Sequence, residues 1–126
     1  MAKPVACPCG TGLMLDGCCA LYLHGKVATT PEQLMRSRYS AYVLKDECYL
    51  LATWHASTCP ASLNLADDDT RWLGLKVLKH QYLDTHHAVV AFVARYKVAG
   101  KAYQLHETSQ FMLENGRWFY VDGVLE

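Results

Sequence analysis

Neither sign of charge prevails in this chain of 126 residues: twelve lysines and arginines are matched by twelve aspartates and glutamates. A protein that grips phosphate backbones carries a basic excess, so nucleic acid is not an expected partner, although a local basic patch stays open. Long apolar runs are missing as well. The longest, around Ala88–Ala94, is far too short to span a bilayer. The first six residues lack the apolar stretch of a signal peptide. These absences lead to an expectation of a soluble, cytoplasmic protein with no membrane partner. Repeats and low-complexity linkers are also lacking, and the length suits one compact domain with a small appendage. Disorder is excluded by composition, since 52% of residues are hydrophobic and 19% charged.

What is present begins with cysteine. Four of the six cysteines fall in one stretch, Cys7-Pro8-Cys9 and Cys18-Cys19. In a reducing compartment such a cluster reads as a metal site before it reads as disulfides. Four soft thiolates match tetrahedral zinc in a closed, structural site, which makes Cys7, Cys9, Cys18 and Cys19 the expected ligands. His24 is a spare ligand that a complete set of sulfurs does not need. Gly10 and Gly12 allow the tight turn that brings two sulfurs to one point. Asp16 is expected to cap a short helix running toward His24, with Cys18 and Cys19 in its first turn. Free N–H groups there favour thiolate over thiol.

The next helix start is Thr30-Pro31-Glu32-Gln33, with Thr30 as cap, Pro31 at the first position and Gln33 closing a capping box. This helix is expected to reach about Lys45, and a second to run from Glu47 to His55. Cys48, on that second helix, is expected to be buried packing. Asp67-Asp68-Asp69 reads as a solvated turn and His86-His87 as surface. From Arg71 the apolar period changes to two, giving strands at Trp72–Gln81, Ala88–Val98, Ala102–Leu113 and Trp118–Asp122. Asn115-Gly116 is a two-residue hairpin turn. Helices followed by an antiparallel meander give an α+β fold with helices on one sheet face. The expected organisation is a knuckle over residues 1–25 and an α+β domain over 26–126.

The cysteine segment Cys7-Pro8-Cys9-Gly10-Thr11-Gly12 with Cys18-Cys19 resembles the SEC-C motif, the zinc module at the C-terminus of the SecA translocation ATPase. Leu13-Met14-Leu15-Asp16 stands where that motif usually carries basic residues, and these apolar side chains are expected to pack the knuckle on the main domain. The resemblance implies a protein or ribosomal partner met through the knuckle. The whole chain is similar to the YchJ-type bacterial family. The similarity is carried by Leu34-Met35-Arg36-Ser37-Arg38-Tyr39-Ser40-Ala41-Tyr42, Thr53-Trp54-His55, Trp72-Leu73-Gly74-Leu75, Phe92-Val93-Ala94-Arg95 and Gly116-Arg117-Trp118-Phe119-Tyr120-Val121-Asp122-Gly123. It implies a fold like that of nuclear transport factor 2, a cone of curved sheet and helices, and no defined activity.

Such a cone has a mouth, so a pocket is the natural place for a second site. Candidates from the residues are Arg36, Arg38, Trp54, His55, Arg95, Tyr96, His106, Glu107 and Ser109. The expected pocket set is Arg38, Trp54, His55, Arg95 and Glu107, with Arg95 and Glu107 as a cross-strand ion pair and His55 beside Glu107. No nucleophile–base–orienter set is visible, so the leading expectation is a non-enzymatic zinc-binding interaction module. The alternative is a small-molecule binder or enzyme using the cone. Pairing of two sheets in a homodimer is a further expectation.

Overall fold

The computed structural model describes residues 5–125; Met1–Pro4, which bear on the signal-peptide expectation, and Glu126 lie outside the described residues. Three α-helices precede four strands: α1 (Cys19–Leu23), α2 (Pro31–Leu44), α3 (Glu47–Ala52), β1 (Arg71–Tyr82), β2 (His87–Val98), β3 (Lys101–Glu114) and β4 (Arg117–Leu125). The strands pair antiparallel in the order β1-β2-β3-β4. Among the described residues no helix is long and apolar enough to cross a membrane.

Local chemistry sets the boundaries. Thr30 Oγ1 accepts from the Gln33 N–H at 3.1 Å, and Pro31 holds the first helical position of α2. The Gln33 side chain returns one residue further out than a capping box would place it, accepting from the Thr29 N–H at 2.9 Å. Lys45 adopts φ 58 and ends α2, and Asp46 then accepts from the Tyr49 N–H to start α3. The second helix stops at Ala52, short of the expected His55. Residues 53–55 leave it to join β4 instead: Tyr120 N–H donates to the Thr53 carbonyl at 2.9 Å, and His55 N–H to the Tyr120 carbonyl at 2.7 Å. The first helix also differs from expectation. A 3₁₀ turn covers Leu15–Gly17, Asp16 makes no cap, and Cys18 sits between that turn and α1 with non-helical φ −131, ψ −112. Cys48 is exposed on α3 and is not the buried packing residue expected.

The strands occur where the period-two pattern puts them, each slightly longer than expected. Asn115 (φ 54) and Gly116 (φ 77) form the β3–β4 hairpin with both central residues left-handed, the twist that suits two adjacent strands. Even-numbered residues of β2 face the helices, so Ala88, Val90, Phe92 and Ala94 are buried against Leu34, Met35 and Tyr39 of α2. All four clustered cysteines belong to this same core. The apolar centre of the knuckle does not follow them inward. Leu13 is 55% and Met14 46% exposed, and of the three apolar residues only Leu15 packs on the core. A short ribbon explains this, with Cys7 N–H donating to the Leu13 carbonyl and Leu15 N–H to the Val5 carbonyl.

Candidate functional site

Cys7 and Cys9 come from the ribbon, and Cys18 and Cys19 from the start of α1. Their four Sγ atoms lie within 4.8 Å of one another and all four residues are buried. Cys9 and Cys18 are 3.7 Å apart, and Thr11 Oγ1 is 3.2 Å from the Cys18 sulfur. His24 follows α1 as an exposed C-cap and is no member of the group. Helix α2 clamps the loop from below: Arg36 Nη1 donates to the Cys9 carbonyl at 2.6 Å, and Ser40 Oγ is 3.6 Å from the Cys7 sulfur. Hydrogen bonds from Cys19 first, and more weakly from Thr11, hold the Cys9 thiol down to about 4 against the opposing effect of burial. Donation to Cys9, together with burial, pushes Cys19 far up, while burial leads the rise at Cys18. Four thiolates this close would repel one another. Only a cation lets all of them ionise, because a coordinating thiol loses its proton to the metal. The cluster therefore fits a metal site.

A second centre lies on the other side of α2, between that helix and the sheet. A cavity of about 230 Å³ is walled by aromatic residues that include Trp72, Phe92, Phe111 and Tyr120, and Arg38, Glu107 and Ser109 supply its charged and polar groups. Arg38 is only 5% exposed. Its Nη1 donates to the Leu50 carbonyl and to Thr53 Oγ1, both at 2.7 Å. The guanidinium packs on two rings, 4.5 Å from the Tyr120 centroid and 5.0 Å from that of Trp54. No carboxylate of the described residues forms an ion pair with it. Burial pulls its pKa down, but an arginine starts so high that the charge stays. Glu107 accepts from Ser109 Oγ at 2.6 Å. Its carboxyl carbon occupies the place of a missing side chain: a Cβ on Gly123 would lie 2.4 Å from it. Tyr120 is pushed up by burial and then by Glu107, with Arg38 opposing, so it senses both charges.

The expected pocket set is thus divided. Arg38 and Glu107 line the cavity, joined by Ser109. Trp54 stands behind Arg38, its ring edge-on to Tyr120 at 4.9 Å. Arg95 does not meet Glu107. Glu107 pairs with Phe92 and Arg95 with Gln104, and the odd interval between those β2 positions sends the two side chains to opposite faces. Arg95 lies over Gly74 of β1 instead. His55 pairs with Glu114, not with Glu107. Its Nδ1 accepts from the Ser57 N–H at 3.1 Å, which leaves Nε2 to carry the proton toward Glu114. Tyr96 stacks on Tyr103 at 5.4 Å near the β2–β3 turn, and His106 is exposed on the outer face. Arg36 serves the cysteine loop, as described above. The residues that sequence reasoning missed are Tyr42, Tyr120 and Gly123. A glycine following an aromatic strand was the available signal for the last of these.

The model of the family described as "YchJ, middle NTF2-like domain" matches residues 30–123. A UPF0225 protein of Ralstonia nicotianae is 52% identical over 135 residues, covering 98% of this chain and 94% of the relative. A UPF0225 protein of Cupriavidus metallidurans is 54% identical, covering 97% and 90%. Among solved structures, the solution structure of a SEC-C motif containing protein from Rhodopseudomonas palustris superposes with a TM-score of 0.78 at 33% identity, covering 94% of this chain and 96% of that one. The crystal structure of a SEC-C motif containing protein from Psychrobacter arcticus gives 0.77 at 30% identity, covering 95% and 82%. With its NTF2-like middle domain and its matching relatives, the chain belongs to the YchJ-like UPF0225 family.

Proposed function

We propose that the four cysteines hold a structural zinc ion and that the chain is a non-enzymatic binding protein whose zinc-braced knuckle meets a protein partner. The carrying observation is the sulfur geometry. Tetrahedral zinc with bonds near 2.3 Å places its sulfurs about 3.8 Å apart. Cys9 and Cys18 stand 3.7 Å apart, and all four sulfurs fall within 4.8 Å. Four thiolates fill the coordination shell, and a closed shell leaves no position for a substrate. The cation would also remove the competition for protons within the cluster.

The partner reading rests on the ribbon. Val5, Leu13 and Met14 are 60%, 55% and 46% exposed, and the ribbon's hydrogen bonds fix the backbone that carries them. An exposed apolar group on a rigid loop is suited to a protein surface, and without basic side chains it offers little to nucleic acid. The SEC-C neighbours support the same module.

Metal analysis and partner capture test the two halves separately. One equivalent of zinc per chain is expected, lost on chelation or in the Cys18→Ser/Cys19→Ser variant together with the order of residues 5–25. A metal-free chain whose amide spectrum is unchanged in that segment would overturn the zinc. The Leu13→Ser/Met14→Ser variant should keep its zinc and lose partners that the parent chain captures. An identical set of captured proteins would sink the knuckle as the docking surface.

A further inference from the structure

The knuckle leaves the second buried centre unused. Arg38 is a cation held 5% exposed at the wall of a 230 Å³ cavity. Burying an unpaired charge is costly, and proteins normally meet that cost with a carboxylate. Here the partners are neutral: two oxygens on Nη1 and the faces of Tyr120 and Trp54. Such contacts keep the ion in place without cancelling its charge. Both hydrogen bonds leave from one nitrogen, so among the described residues the rest of the guanidinium fork is available at a site that lines a cavity. A planar fork with donors to offer is what binds a carboxylate through two bonds.

Glu107 lines the same space and does not close the gap. Ser109 Oγ fixes it from one side and the absent Cβ of Gly123 seats it on the other. Adding even a methyl group at residue 123 would collide with the carboxyl carbon at 2.4 Å. The sheet thus holds an acceptor in one place while α2 holds a donor in another, and the aromatic walls lie around them. A small cavity of mostly apolar lining with a few convergent polar groups is the usual form of a ligand site. Its volume equals that of about eight liquid waters, hence a ligand of on the order of ten non-hydrogen atoms.

We infer that the cavity between α2 and the sheet binds a small aromatic carboxylate bearing an amino or hydroxyl group, its carboxylate on Arg38 and its donor on Glu107. The ring lies among Trp72, Phe92, Phe111 and Tyr120, whose faces and edges suit a flat apolar body. This site is separate from the knuckle and does not depend on its metal or its partner.

The test uses the full-length, metal-loaded chain and three probes followed by NMR titration: 4-hydroxybenzoate, benzoate, and 4-hydroxybenzyl alcohol. Saturable shifts at Leu105 and Phe111 are expected with 4-hydroxybenzoate. Removing the carboxylate should weaken binding at least about tenfold, since a charge-assisted hydrogen-bonded contact is lost. Benzoate should bind more weakly than 4-hydroxybenzoate to the parent chain, and Glu107→Gln should narrow that difference. Arg38→Met should abolish the shifts. Should that variant fail to fold, the probe series on the parent chain decides alone. No saturable shift at millimolar probe, equal affinity for acid and alcohol, or shifts confined to the knuckle or the outer sheet face would each overturn the inference.

Discussion

The two sides of helix α2 carry buried centres of opposite kind. On one side, four sulfurs crowd together and call for a cation. On the other, a guanidinium sits among rings and neutral oxygens with no acid of the described residues paired to it. Arg36 and Ser40 face the first centre, Arg38 and Tyr42 the second. One helix therefore supports both, which is why the cysteines share a core with Phe92 and Phe111 although they lie in a separate loop. The difference lies in how each centre is built. The cysteine group needs a tight turn and one helix start. The cavity needs the helix and all the concave sheet to be in place.

That contrast can be broken from either side. Phe111 is 2% exposed and forms part of the cavity wall. Phe111→Ala should cost about 3–5 kcal/mol, read by denaturant unfolding, because a large side chain is deleted where the sheet cannot collapse to fill the space. The folded fraction of that variant should still take up a full equivalent of metal. Gly123→Ala should cost about 1–3 kcal/mol, the usual range for overpacking, and should displace the Glu107 side chain in an NMR or crystallographic comparison. The smallest effect is expected at the clamp. Arg36→Met removes the bond to the Cys9 carbonyl. That should lower stability by about 1 kcal/mol while speeding metal release to a chelator more than it changes overall unfolding.

Legibility followed the same division. Cysteine spacing is local, so Cys7, Cys9, Cys18 and Cys19 could be assigned together before any fold was known, and they do converge. Strand order was readable because each turn announces itself, as Asn115-Gly116 does. Register was not readable to the residue. Pairing Arg95 with Glu107 required knowing that Arg95 stands opposite Gln104, and an odd offset sends a side chain through to the other face. The end of α3 was misplaced because β4, far along the chain, draws Thr53 and His55 into backbone pairing. Helix propensity holds no information about that competitor. Leu13 and Met14 stay exposed, against expectation, because hydrophobicity indicates what burial would gain, not which way the local backbone turns a side chain.

Strand β1 forms one margin of the sheet, and its outer rim is where a foreign strand would add. Gly10, at φ +84, brings the cysteine loop so close that a Cβ there would lie 3.0 Å from the Leu75 carbonyl oxygen. Irregular pairing between Trp72 and Gly74 and between Val77 and Lys79 interrupts the same strand. A ladder that is covered at its middle and stepped on both flanks offers no continuous template for amyloid-like stacking. The loop that gathers the sulfurs thus also stands in the way of a foreign strand on the sheet beside it.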